Sequence, residues 1–133
     1  MADRTFPLDF ATLVPDARPR RWLVLPSEFE AVASPDQDSP VFELTPEAVL
    51  DAFKAVALAA PRVTLVREEA GQIELVQRSK LFRFPDYITV QAFEEQGGAA
   101  LAIYSRAVIG YSDMGVNRKR IRAWLESLQA ALA

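Results

Sequence analysis

The sequence predicts an α+β domain: a two-layer sandwich in which a four-stranded antiparallel meander sheet carries two helices on one face, preceded by an extended N-terminal arm. Three observations predict it. Apolar residues recur at helical spacing in two stretches, one opening at Thr45 and one near Gly115. Four short runs of β-branched or alternating apolar residues fill the interval between them. Proline, glycine and aspartate punctuate the junctions. The 133 residues, half of them hydrophobic and a quarter charged, fit a single domain over 1–133 that needs neither disulfide nor metal to fold.

The arm, residues 1–44, is irregular and rich in proline and is expected to pack on the core formed by 45–133. Residues 22–25 are its one expected strand, and 34–40 read as a loop. The first helix opens with Thr45 as N-cap and Pro46 at the first helical position, where a missing N–H costs nothing. Glu47 lies favourably against the helix dipole. Val49, Leu50, Phe53, Val56 and Ala60 make its apolar face, and Pro61 ends it. Residues 62–68 form a short β-branched strand, Ala70 and Gly71 a turn, and 72–83 a returning strand in which Ile73, Leu75 and Gln77 alternate. Pro85 and Asp86 break the run, and 87–93 and 99–107 pair around a turn at 94–98. The closing helix, about 115–132, buries Ile121, Trp124, Leu125, Leu128 and Leu132 and turns Lys119, Arg122 and Glu126 outward.

Cysteine and histidine are both absent. That removes the thiolate nucleophile, the orienting base of serine and cysteine triads, and the usual nitrogen and sulfur metal ligands. No cofactor and no metal is expected, and none of the five glycines forms a phosphate- or dinucleotide-binding loop. Asp36 and Asp38 imitate a metal pair, but two solvated carboxylates are too few oxygens for a hard cation. Glu68, Glu69 and Glu74 surround a predicted hairpin turn, where exposure leaves carboxyl groups untuned for acid–base work. Phe82, Phe84, Tyr87 and Phe93 read as core or cross-strand pairs rather than a cavity lining. Residues 1–21 mix charges and prolines with no apolar stretch of signal or spanning length, so a cytoplasmic protein without a membrane partner is expected. The net charge of −3 is unevenly spread: 27–74 hold ten acids against three bases, and 75–124 hold eight bases against four acids.

Residues 104–122, YSRAVIGYSDMGVNRKRIR, concentrate polar groups beyond what a strand-to-helix connection requires. Ser112 or Asp113 is placed to cap the last helix, and Gly110 and Gly115 admit backbone conformations other residues resist. Arg118, Lys119 and Arg120 fall near the helix start, where each cation opposes the dipole by about 0.3–1 kcal/mol unless an anion compensates. Asp113, a carboxylate from the acidic half or a bound solute is therefore expected nearby. Asn117 lies in the apolar stripe four residues before Ile121, where an unpaired amide costs about 1–3 kcal/mol, so it is expected to be tied to a neighbouring strand or loop. Arg118 and Arg120 flank the stripe and are expected to reach the sheet edge near Tyr104 and Arg106, bringing three guanidinium groups together.

This segment also resembles a known family. SRAVIGYSDMGVNRKRI is similar to the C-terminal signature of the bacterial and plastid family catalogued as domain of unknown function 1499 (DUF1499). There a serine–arginine pair, a glycine, serine–aspartate, a glycine, asparagine–arginine and a closing arginine–isoleucine recur in that order. Ser105, Arg106, Gly110, Ser112, Asp113, Gly115, Asn117, Arg118, Arg120 and Ile121 occupy those positions. QRSKLFRFPDYITV resembles a second block through Arg83, Phe84 and Asp86, so the similarity is expected to cover 40–133 and to extend into the arm. It implies a shared fold and a place for the site, and no reaction.

The chain thus reads as a non-enzymatic binding or scaffold domain with site candidates Tyr104, Ser105, Arg106, Ser112, Asp113, Asn117, Arg118 and Arg120. They either lock the fold internally or, with helix N–H groups, hold a small anion such as a carboxylate or phosphate. The expected partners are such an anionic ligand or a protein. An enzyme is the alternative of a different class: it would run on Arg, Asp, Ser and Tyr without metal, with Asp86 or Asp113 as base and Arg106 as electrostatic stabiliser. Weak nucleic-acid binding by the last helix is a further alternative, opposed by the acidic total and the lack of a wider basic face.

Overall fold

The computed structural model describes residues 5–133. In chain order the elements are β1 (Arg21–Leu25), β2 (Gln37–Asp38), α1 (Pro46–Leu58), β3 (Val63–Glu69), β4 (Gln72–Arg78), β5 (Pro85–Glu95), β6 (Gly98–Ala107) and α2 (Val116–Leu132). Helix α1 starts as its residues dictate: Thr45 Oγ1 accepts the Ala48 N–H at 3.2 Å and Pro46 occupies the first turn. Its Val49, Leu50 and Phe53 are buried, and Val56 and Ala60 pack partly buried against the same core. In α2, Ile121, Trp124, Leu125 and Leu128 are buried and Leu132 is partly so, reproducing the expected stripe.

The sheet has six strands rather than four, in the order β2-β1-β6-β5-β4-β3. The antiparallel meander β3–β4–β5–β6 is present, but β1 pairs antiparallel along the free edge of β6, Arg21 opposite Arg106 and Val24 opposite Ile103. β2 then adds in parallel to β1, so the sheet is mixed. An uncovered β6 edge would leave a row of N–H and C=O groups without partners, and the apolar 22–25 stretch satisfies them. Two further boundaries move. Strand β4 stops at Arg78 instead of running to 83, because Ser79 closes a loop: its N–H donates to Phe84 O at 2.9 Å and its Oγ accepts the Phe84 N–H at 2.9 Å. The 34–40 segment is not simply a loop, since it contains β2 and a bound carboxylate. Asp36 Oδ2 accepts the Leu23 N–H at 2.8 Å and an Arg21 N–H at 2.7 Å.

Both helices lie on one face of the sheet, over a core that includes Val49, Phe53, Ile73, Leu75, Ile88, Val90, Leu101, Ile103, Ile121 and Trp124. The opposite face is covered too. Leu8, Phe10 and Leu13 of the arm pack with Leu23, Leu25, Ala102 and Tyr104 in a second apolar cluster. The two-layer sandwich therefore carries a partial third layer, and every residue of β6 is buried because Leu101 and Ile103 meet the helices while Ala102 and Tyr104 meet the arm. The arm is fastened by polar contacts: the Gln72 side chain accepts from Leu8 N at 2.6 Å and donates to Leu8 O at 2.8 Å, and Tyr104 Oη accepts the Asp16 N–H at 2.8 Å. At the β5–β6 hairpin, a Cβ on Gly98 would lie 2.1 Å from Phe42 O, the carbonyl that accepts the Ala99 N–H. Among the described residues no helix is long and apolar enough to cross a membrane.

Candidate functional site

Strand alternation divides the candidates between the two faces of the sheet. Ser105 faces the helices, while Tyr104 and Arg106 face the arm. On the helix side, Ser105 donates to Asn117 Oδ1 at 2.5 Å, and Arg120 Nη1 donates to the same oxygen at 2.7 Å. The Asn117 Nδ2 group donates to Asp113 Oδ2 at 2.7 Å and to Arg20 O at 3.2 Å. This fully buried amide thus meets two donors and two acceptors, as its place in the apolar stripe requires. Arg120 continues the network: Nε donates to Gln77 Oε1 at 2.5 Å, and Nη2 to Asp86 Oδ2 at 2.8 Å. That ion pair is mostly out of solvent, at 8% and 14% side-chain exposure.

Asp113 secures the start of α2 from two residues before its Gly115 N-cap, accepting the Gly115 N–H at 2.9 Å and the Asn117 N–H at 3.0 Å. Gly115 itself adopts φ 80°, a left-handed conformation that disfavours side chains. The carboxylate is therefore the anion expected near the helix start. Ser112 is exposed, its Oγ accepting the local Met114 N–H at 3.2 Å.

The three guanidinium groups do not meet. Arg106 is buried beneath the arm, where it donates to Thr89 Oγ1 at 2.8 Å and Tyr104 O at 2.9 Å and lies over the Tyr104 ring at 4.7 Å. Its Nη2 is 4.0 Å from a carboxylate oxygen of Glu74, which is buried at the heart of the sheet rather than exposed at a turn. Arg118 is exposed and lies 5.5 Å from the Trp22 ring centroid. Because Arg106 is across the sheet from both Asp86 and Asp113, the set named for an enzymatic reading is not assembled on one face.

Sequence reasoning missed Arg20, Asp16 and Gln77. Arg20 is nearly fully buried; Nε donates to Asp16 Oδ2 at 2.5 Å and Nη1 to Gly110 O at 2.9 Å, tying the arm to the loop before α2. Burial raises the Asp16 carboxyl pKa, but the Arg18 N–H and the Arg20 guanidinium outweigh it and hold it below the usual value. Burial pushes the Tyr104 phenol up. Gln77 left a signal, being a polar residue in phase with the apolar Ile73 and Leu75; Arg20, between charged and proline residues, left none.

Beside the Arg120–Asp86 pair the loops after β4 and β6 bound a cleft of about 330 Å³. Arg62, Arg78, Ser79 and Ser112 contribute polar groups to it, and Phe84, Ile109 and Val116 contribute apolar ones. Both acids in its wall are engaged, Asp86 by Arg120 and Asp113 by the start of α2. A larger recess of about 590 Å³ at the other end of the sheet includes Glu43, Glu94 and Glu95 in its wall and no cation.

The family described as "Protein of unknown function (DUF1499)" matches residues 21–128, and the chain belongs to it. That span takes in β1 and β2, so the resemblance extends into the arm. No curated protein matches the chain. Among solved structures, the chain is similar to the crystal structure of TTHA0849 from Thermus thermophilus, with 11% identity, a TM-score of 0.35, and coverage of 71% of this chain and 88% of that one.

Proposed function

We propose that this is a non-enzymatic binding domain in which the Asn117–Arg120 network is a structural lock and the neighbouring cleft takes a small anion with an apolar portion. The observation that carries the reading is the composition of the cleft: Arg62 and Arg78, whose residues are exposed, with two serines, against Phe84, Ile109 and Val116. A carboxylate or phosphate suits the guanidinium groups and a short hydrocarbon suits the opposite wall. The lock supports this function by holding the start of α2 and the ends of β4 and β5 in one position, so that the cleft walls are preorganised. Tyr104, which shares no face with the cleft, belongs to the fastening of the arm, and Arg106 beside it is held within the sheet by Thr89 and the Tyr104 carbonyl.

The test is thermal unfolding with acetate, hexanoate and inorganic phosphate. Hexanoate is expected to raise Tm by several degrees, acetate by less, and an Arg62→Ala/Arg78→Ala variant of unchanged fold is expected to lose the rise. Equal shifts in parent and variant, or none with any anion, overturn the reading.

A further inference from the structure

Two loops at the same end of the sheet expose apolar side chains that the cleft does not account for. The 79–84 loop presents Leu81 and Phe82, 79% and 67% exposed, between the exposed cations Lys80 and Arg83. The loop after β6 presents Tyr111 and Met114, 71% and 84% exposed, and Met114 shares a recess with Arg118, Lys119 and Arg122. The two loops are neighbours, since Ser79 and Phe84 of one and Ile109 and Ser112 of the other bound the same cleft. Charge is sorted along the sheet: Arg62, Arg78, Lys80 and Arg83 lie at this end, while recesses at the other include Glu43, Glu47, Asp51, Glu68 and Glu94.

We infer that this end is a docking surface for an anionic membrane, with Leu81, Phe82, Tyr111 and Met114 entering the headgroup region and the surrounding arginines and lysines meeting lipid phosphates. Protruding apolar tips flanked by cations suit a bilayer interface, which accepts separated side chains of any shape and adds attraction to acidic lipids. A protein partner would need pockets matched to each tip. The acidic far end turns the basic end towards a negative surface. A membrane partner was not expected from the sequence, because that expectation looked for spanning segments, and surface docking needs none. The inference does not depend on the cleft having a ligand.

The experiment is sedimentation of the full chain with vesicles of phosphatidylcholine alone and of phosphatidylcholine mixed with phosphatidylglycerol. Binding is expected to the mixed vesicles only, and Leu81→Ser/Phe82→Ser, with circular dichroism and Tm unchanged, is expected to weaken it about tenfold or more. A Phe82→Trp variant should shift its emission to the blue on adding mixed vesicles. Failure of the parent to bind them, equal binding by the double variant, or binding to polyglutamate in place of vesicles overturns the inference.

Discussion

Replacing Asn117 with alanine removes one side chain and takes a partner from four groups. Ser105 Oγ and Arg120 Nη1 lose the oxygen they donate to, and Asp113 Oδ2 and Arg20 O lose a donor. Arg120 keeps Gln77 and Asp86, Asp113 keeps its two backbone N–H donors and Arg20 O keeps the Ala107 N–H at 2.9 Å, so the full burden falls on the Ser105 hydroxyl, which loses its acceptor. At about 1–3 kcal/mol for a buried group left unpaired, with the bonds lost by Arg120, Asp113 and Arg20 O adding to it, the loss comes to about 3 kcal/mol. For a domain of this length that lowers Tm by about 10 °C. Urea unfolding followed by circular dichroism measures it, with Arg118→Ala as a surface comparison expected to cost less than about 1 kcal/mol. A cycle with Ser105→Ala should return a coupling energy of at least about 0.5 kcal/mol. An Asn117→Ala protein within about 1 kcal/mol of the parent would refute the reasoning, because the amide would then not be what holds strand and helix together.

Gly98→Ala should destabilise by about 1–3 kcal/mol, read as a lowered urea midpoint, since the added methyl meets the backbone carbonyl of Phe42 and not a movable side chain. The Asp16 carboxyl titrates below its usual value in the fold, so the unfolded chain takes up the proton first on acidification. Its contribution is complete above about pH 4 and is lost as pH falls through the folded value. The difference in Tm between the parent and Asp16→Asn should therefore be largest near neutrality and shrink in acid; a difference that grows in acid contradicts the assignment.

Much of the fold was legible because its signals are local. The Thr45–Pro46–Glu47 start, the stripe from Ile121 to Leu128 and the meander between the helices follow from capping chemistry and periodicity. The strand at 22–25 was expected, but its place in the sheet and the pairing within 34–40 were not, because both stretches are short and draw their stability from an edge supplied elsewhere in the chain. One signal was present: a β6 sequence apolar or small at almost every position is that of a strand covered on both sides. Of the site, Asn117 was readable as a buried amide needing partners. The meeting of Arg106 with Arg118 and Arg120 was not realised, because adjacent residues of a strand point to opposite faces, and Ser105 takes the helix side.

By itself the sequence determined which residues must be buried, which polar groups among them must find partners, and which chemistries have no side chains to run on. Tertiary structure alone decided who those partners are. A hydrogen bond acts over about 3 Å, whereas Asn117 and Arg20 stand far apart along the chain, so their meeting depends on β1 docking beside β6.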